Sequence, residues 1–193
     1  MKNLGEGGFK RLYEEYAYVL DFLPYGRSFS EKRGRLVIPT AQLLGEEYFT
    51  LLEVGLKPGA TVAVRERIYV GKERRDKVNR VIGRVSFDEL TATAKAEIES
   101  VLEELVKNRE SYFVDFFNNA QAITSRMHAL ELLQGIGKKS MWQIVDEKEK
   151  QKFSDFKNIQ ERTVIADPVK IIARRIIEEL TGESKYRLFT RTA

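Results

Sequence analysis

The stretch LLQGIGKKSMWQIVDE, Leu132 to Glu147, places two glycines around a single isoleucine and follows them with two lysines and a serine. Apolar residues recur at helical spacing before it, so it reads as a turn, Gln134–Gly137, between a helix ending near Leu133 and another starting near Lys138. One glycine is enough to end a helix; a second, two residues on, strips the β-carbon from the main chain where another molecule could approach. Ile136, the only apolar residue in the turn, is predicted to plug it into the core. The first amides of the following helix lack intrahelical acceptors and carry the positive end of its dipole. Gly135, Ile136, Gly137, Lys138, Lys139 and Ser140 are therefore candidate residues for holding phosphate, the two ammonium groups adding full charge.

Toward the N-terminus from this turn the pattern stays helical. Leu90, Ala94, Ile98, Val101, Leu102, Leu105 and Val106 mark one helix, and Phe113, Phe116, Phe117, Ala120, Ile123, Met127 and Leu130 mark a second over Ser111–Leu133. Beyond the turn, ADPVKIIARRIIEELTG reads as a helix with Asp167 at the N-cap, Pro168 at the first position and Gly182 past the end. Lys170 and Arg174, four apart, share its exposed basic edge. The segment Phe153–Ile176 is helical on both sides of a break; it lacks Gly-x-Gly, so only a packing role is expected of it.

Earlier than Leu90 the period changes to strand. Tyr16–Phe22, Arg35–Pro39, Tyr48–Val54, Ala60–Val70 and Asn79–Phe87 are short runs rich in β-branched and aromatic residues, with Leu56–Gly59 a Pro-Gly turn. TAQLLGEEYF, from Thr40, is open to a helical reading. In Ala60–Val70 alternation puts Val62, Val64, Ile68 and Val70 on one face and Thr61, Arg65, Arg67 and Tyr69 on the other; in Asn79–Phe87 it turns Arg80 and Arg84 outward. Paired as a hairpin through Gly71–Lys77, these strands would join Arg65, Arg67, Tyr69, Arg80 and Arg84 in one cationic face, since Arg65–Arg84 holds eight Lys or Arg against three Asp or Glu. Arginines that follow phosphates beside a ring that stacks a base are what single-strand binders use. Arg27, Lys32, Arg33 and Arg35, and the tail with Lys185, Tyr186, Arg187, Phe189 and Arg191, would extend that surface.

Leu133, Gly135, Ile136 and Gly137 match the core of the helix-hairpin-helix motif, which LLQGIGKKSMWQIV resembles. That resemblance implies sequence-independent grip on a nucleic-acid backbone by amides of Gly135–Lys139, with a monovalent cation as a possible companion on the hairpin carbonyls. Gln134 stands where proline is frequent, and Met141 and Trp142 where the second helix often carries a small residue. Together with LLEVGLKPGATVAVRERIYVGKERRDKVNRVIGRVSFDELTATAKAEI, FVDFFNNAQAITSRMHALELLQGIGKK and KYRLF, the chain resembles an uncharacterised archaeal family described as predicted nucleic-acid-binding, most often RNA-binding. It implies a barrel-like β domain before the helix-hairpin-helix.

The fold expected is α+β: a small, OB-like β-barrel over residues 1–89, then a helical domain over 90–193 with the helix-hairpin-helix at 126–150. Of the 193 residues 32% are charged and the net charge is only +4, so the placement of base matters more than its amount. With no cysteine and one histidine, His128, zinc clusters, thiol nucleophiles and multi-histidine metal sites are out. His128 falls on a mostly apolar predicted helix and reads as a satisfied core or boundary histidine rather than a general base. The N-terminus has no apolar run fit for a signal or a span, so a cytoplasmic protein without membrane association is expected, and the GEGG at Gly5–Gly8 follows no strand. No phosphate-loop, nucleophile-elbow or HExxH pattern occurs, and the acidic pairs read as solvated faces. The function expected is non-catalytic binding of nucleic acid, RNA preferred over DNA, with no cofactor beyond the monovalent cation that the hairpin resemblance allows. The alternatives are a subunit that docks a protein partner, or a nuclease or modifying enzyme on the same scaffold.

Overall fold

The structure, a computed structural model, describes residues 13–26, 29–31, 34–36, 38–182 and 184–191, with backbone alone for 29–31 and 34–36. Gly5–Gly8, Arg27, Lys32 and Arg33 lie outside the described residues, and Arg35 is described by its backbone only. Seven strands come first: β1 (Tyr16–Leu23), β2 (Phe29–Glu31), β3 (Gly34–Leu36), β4 (Thr40–Gly45), β5 (Leu51–Leu56), β6 (Arg67–Tyr69) and β7 (Val78–Arg84). β2 and β3 pair with each other; the other five make one antiparallel sheet in the order β6-β1-β4-β5-β7. Because side chains alternate between faces, Ala17, Val19, Leu43 and Leu52 fall on one side and Tyr18, Leu20, Leu44 and Leu51 on the other. The first set joins Val54, Leu56, Val62, Ile68 and Val78 in a core that the sheet curls around as a half-barrel. The second set faces the helices.

Those are α1 (Ala92–Asn108), α2 (Glu110–Asn119), α3 (Lys138–Lys150), α4 (Phe156–Arg162) and α5 (Pro168–Leu180); between α2 and α3 come β8 (Ala122–Thr124), β9 (Met127–His128) and a 3-10 turn, Ala129–Leu132. α1 is nailed to the sheet at its start. The Thr91 hydroxyl caps it by accepting from the Ala94 amide and itself donates to Asp21 at 2.6 Å, while the Thr91 amide donates to the buried Gln42 at 2.8 Å. The α1 residues predicted to be apolar-facing, Ala94, Ile98, Val101, Leu102, Leu105 and Val106, are all buried, and one cluster runs from Tyr18 through them to Ile176 of α5. α5 has the predicted ends: the Asp167 carboxylate accepts from the Lys170 amide, Pro168 opens the first turn and Gly182 follows at φ 83°.

Several expectations are overturned, each for a reason visible in the contacts. Ala60–Val70 is not one strand. A turn at Ala63–Glu66, closed by the Glu66 amide on the Ala63 carbonyl and the Ala63 amide on the Glu66 carboxylate, sets Arg65 at φ 68°, so pairing starts only at Arg67. Nor does it pair with Asn79–Phe87: β6 and β7 are the two outer strands, because the Val70 and Gly71 amides bond the Glu15 carbonyl and hold β6 to β1. Thr40–Gly45 is strand, not helix; flanked by β1 and β5 and buried along its whole length, it lacks the alternation that would have marked it. The helix expected over Ser111–Leu133 stops at Asn119. The Asn118 amide side chain clasps the Phe153 backbone, donating to its carbonyl and accepting from its N–H, and the chain turns into the β8–β9 hairpin. Only the 3-10 turn Ala129–Leu132 therefore precedes the glycines.

Arg175 and Glu179, one turn apart on α5, are both buried. The Glu179 carboxylate accepts from Arg175 Nε at 3.0 Å, from the amides of Leu188, Phe189 and Thr190, and from the Thr190 hydroxyl. Arg175 also donates to the carbonyls of Leu132 and Tyr186 and to Glu178. The pair thus ties the tail and the glycine turn to one helix, and seats Phe189 edge-on against Phe113 and Phe116, with centroids 5.3 and 4.9 Å away. Truncating one member of such a pair leaves a buried charge uncompensated, which costs about 3–5 kcal/mol. Arg175→Ala should lose that much stability in urea unfolding; an unchanged midpoint would contradict the clamp.

Candidate nucleic-acid interface

The glycine turn is shaped by three constraints. Gly135 has φ 82°, a left-handed conformation that side-chain-bearing residues resist, and Ile136, 5% exposed, sinks into the large core. The Ile136 amide closes the turn on the Leu133 carbonyl at 3.1 Å, and Arg175 holds the Leu132 carbonyl at 3.2 Å. Gly137 then opens α3 in an extended conformation, its carbonyl accepting from the Met141 amide at 2.9 Å, with no side chain capping the helix. The amides of Lys138, Lys139 and Ser140 consequently donate to nothing among the described residues. A β-carbon added at Gly135 or Gly137 would meet nothing within 4 Å, so the main chain is bare there.

Of the six residues predicted for this site, Gly135, Ile136 and Gly137 lie in the turn and Lys138, Lys139 and Ser140 in the first turn of α3; Lys138 and Lys139 are exposed without ion-pair partners among the described residues. The bulky pair that follows divides cleanly: Met141 is buried, whereas Trp142 is 60% exposed. One neighbour was not foreseen. Arg174 reaches Gln134 with a 3.4 Å hydrogen bond, which brings the basic edge of α5 to the turn.

The five residues predicted to form a cationic β face are not brought together. Arg65 lies in the turn before β6 and pairs with Glu97; Arg67 and Tyr69 lie on β6, with Arg67 paired to Glu46 at 2.7 Å. Arg80 and Arg84 are on β7, at the far edge of the sheet, and carry no ion pair among the described residues. Shifts in the β5–β7 register set Arg84 opposite Leu52 and Arg80 opposite Gly55, hence on opposite faces. What forms at β6 instead is a stack: the Arg67 guanidinium lies over the Tyr16 ring, 3.5 Å from its centroid, and Tyr69 meets that ring edge-on at 5.3 Å. Tyr16 was visible in the sequence only as one position in a strand. In the tail, Phe189 is buried while Arg191 lies over the Tyr48 ring at 5.8 Å.

His128 sits at the boundary, its Nδ1 accepting from the Leu130 amide at 3.1 Å as the cap of the 3-10 turn. Burial, and then the nearby Lys148 ammonium, hold its pKa below the usual imidazole value. Among the described residues no three His, Asp or Glu side chains are grouped to hold a metal ion, and no helix is long and apolar enough to cross a membrane.

Comparison with known proteins gives consistent matches. A family model described as a protein of unknown function, DUF655, matches residues 13–191. The uncharacterized protein MJ0038 of Methanocaldococcus jannaschii is 45% identical over 181 residues, covering 93% of this chain and 81% of its own. The crystal structure of Af1531 from Archaeoglobus fulgidus, assigned to the same family, superposes with a TM-score of 0.82 at 46% identity over 92% of this chain and all of that one.

The two glycines should respond differently to substitution. Gly135→Val forces a side chain into a left-handed conformation and should cost about 1–3 kcal/mol. Gly137→Val enters extended backbone beside open space and should cost less than about 1 kcal/mol, the loss of a favoured cap residue. Urea unfolding of both variants checks the order.

Proposed function

The chain belongs to the DUF655 family, and from that footing we propose that it is a non-catalytic nucleic-acid-binding protein with RNA as its preferred ligand. The observation that carries this reading is the bare glycine turn: unpaired amides of Lys138–Ser140, no β-carbon at Gly135 or Gly137, and two free lysines around one spot. Phosphate oxygens are the acceptors such a spot suits, and a backbone-gripping site needs no base contacts. On this reading the turn acts as the hairpin of a helix-hairpin-helix whose first helix is reduced to the 3-10 turn Ala129–Leu132. The carbonyls of Gln134, Gly135 and Ile136 accept no hydrogen bond from described residues and are the donors a monovalent cation beside the phosphate would use.

The sheet is read as an OB-like barrel left open between its edges. Five antiparallel strands curl around one core, and the loop between the fourth and fifth of them, 70–77, is of the kind that lines the ligand surface in such barrels. Arg65, Arg67 and Tyr69 at β6 are its contribution to binding; Arg80 and Arg84 on β7 are a separate, smaller one. Trp142 favours a second reading, a protein-docking subunit, since a large exposed indole is common in interface anchors.

Fluorescence anisotropy of the full chain on single-stranded RNA, single-stranded DNA and duplexes over a salt series tests both. The expected log–log slope is about −0.7 per phosphate contact on single strands. Lys138→Ala with Lys139→Ala should make it shallower by roughly 1.4, two contacts' worth, and Gly137→Val should weaken binding with the fold intact. Absence of binding at low salt sinks the proposal. If Trp142→Ala leaves RNA affinity unchanged, the indole is left for a protein partner.

A further inference from the structure

A groove of about 430 Å³ runs beside the outer edge of β6, a volume within the roughly 300–1,000 Å³ of small-molecule sites. Its lining includes Tyr16, Arg67, Tyr69, Glu73, Arg74 and Asp76. On the nucleic-acid reading given above, we propose that this groove takes one unpaired guanine base.

The platform is built before any ligand arrives. Arg67 lies over Tyr16, its guanidinium carbon 3.5 Å from the ring centroid, and is anchored by Glu46, so its guanidinium is held in place at the groove and offers its other face. Unpaired bases stack on guanidinium planes as they do on rings. Tyr69 is itself fixed: its hydroxyl accepts from the Glu73 amide at 3.2 Å, and a β-carbon at Gly71 would lie 2.4 Å from that hydroxyl and 2.5 Å from the ring carbon bearing it, so the glycine lets the loop close against the end of Tyr69. The fold of 71–77 against Tyr69 is what turns a strand edge into a groove.

The charges in the groove are divided between used and unused. Glu66 is occupied by Lys77 and by the Ala63 amide, and the Lys77 hydrogen bond holds its carboxyl below the usual carboxylate range. Glu73, Arg74 and Asp76 have exposed side chains with no ion-pair partner among the described residues. An ionised carboxylate only accepts, through two oxygens side by side. Guanine alone among the common bases offers two adjacent donors, N1–H and the N2 amine, on its pairing edge; uracil, cytosine and adenine each set an acceptor beside their donor, which a carboxylate repels. Glu73 or Asp76 receives that edge, while Arg74 offsets the neighbouring phosphate. Two carboxylates would be a poor choice for gripping backbone, and their presence beside a stacking plane is explained by base discrimination.

The test uses the full chain and three fluorescent nonamer RNAs: nine uridines, and the same strand with one central guanosine or adenosine. The guanosine strand should bind at least about fivefold more tightly than the other two, a difference of roughly 1 kcal/mol. In Glu73→Gln with Asp76→Asn that preference should shrink to within twofold while affinity for the uridine strand holds or rises; Arg67→Ala should weaken the guanosine strand most. Equal affinity of the wild type for all three strands, or a guanosine preference that survives the double variant, overturns the guanine site while leaving the hairpin reading intact. Failure to bind any strand overturns both. Titration with guanosine monophosphate separates the two sources of the base: competition at micromolar concentration assigns the groove to a free nucleotide, competition only at millimolar concentration to guanosine within a strand, and either keeps the guanine site.

Discussion

A guanidinium placed inside an apolar core must find partners for its N–H groups, and Arg175 finds them in three parts of the chain: its own helix, the approach to the glycine turn and the tail. Its main counter-charge, Glu179, is itself fully buried and gathers three successive tail amides. Each ion is tolerable in low dielectric only because the other is present and both are saturated with hydrogen bonds. The glycine turn depends on this arrangement. Its inward side is held by Ile136 in the core and by Arg175 on the Leu132 carbonyl, so its outward side is free to present unpaired amides. A turn anchored only by its own backbone would fray and satisfy those amides with water.

The same logic recurs where the sheet meets the helices. The loop between β4 and β5 bends through Phe49 at φ 57°, a left-handed conformation unfavourable to a bulky residue, yet Phe49 is fully buried. The Glu14 carboxylate holds this loop from one side by accepting from the amides of Glu47, Tyr48 and Thr50, and Arg109 holds it from the other by donating to the Glu46 and Glu47 carbonyls. Glu46, at the mouth of this loop, is the residue that steadies Arg67 on Tyr16. The β6 platform therefore inherits its rigidity from charged groups set well away from it in sequence.

Legibility in the sequence followed the range of the interactions. α1 and α5 were readable because caps and helical periodicity are decided within a few residues, as at Thr91, Asp167 and Gly182. β4 was not, because a strand flanked by β1 and β5 and buried along its length carries no alternation. The end of α2 at Asn119 was hidden because the decisive contact, Asn118 with Phe153, spans 35 residues. The hairpin drawn from Arg65 to Arg84 did not form: a turn closed by Glu66 replaces the strand at Val64–Arg65, and what remains of that strand pairs with β1 at the opposite edge of the sheet from β7.

By itself the sequence determined that helices follow strands, that the chain turns at Gln134–Gly137 around a buried isoleucine, and that the turn is followed by two lysines on an uncapped helix, since all of these are set by neighbouring residues. Only the tertiary structure decided which cations stand together. Strand order and register are fixed by burial of side chains far apart in the chain, and they sent β6 and β7 to opposite edges, paired Arg65 and Arg67 with acids from other elements, and brought Arg174 to the glycine turn. Local pattern specifies which face of an element is apolar; it says nothing of which other element will cover that face.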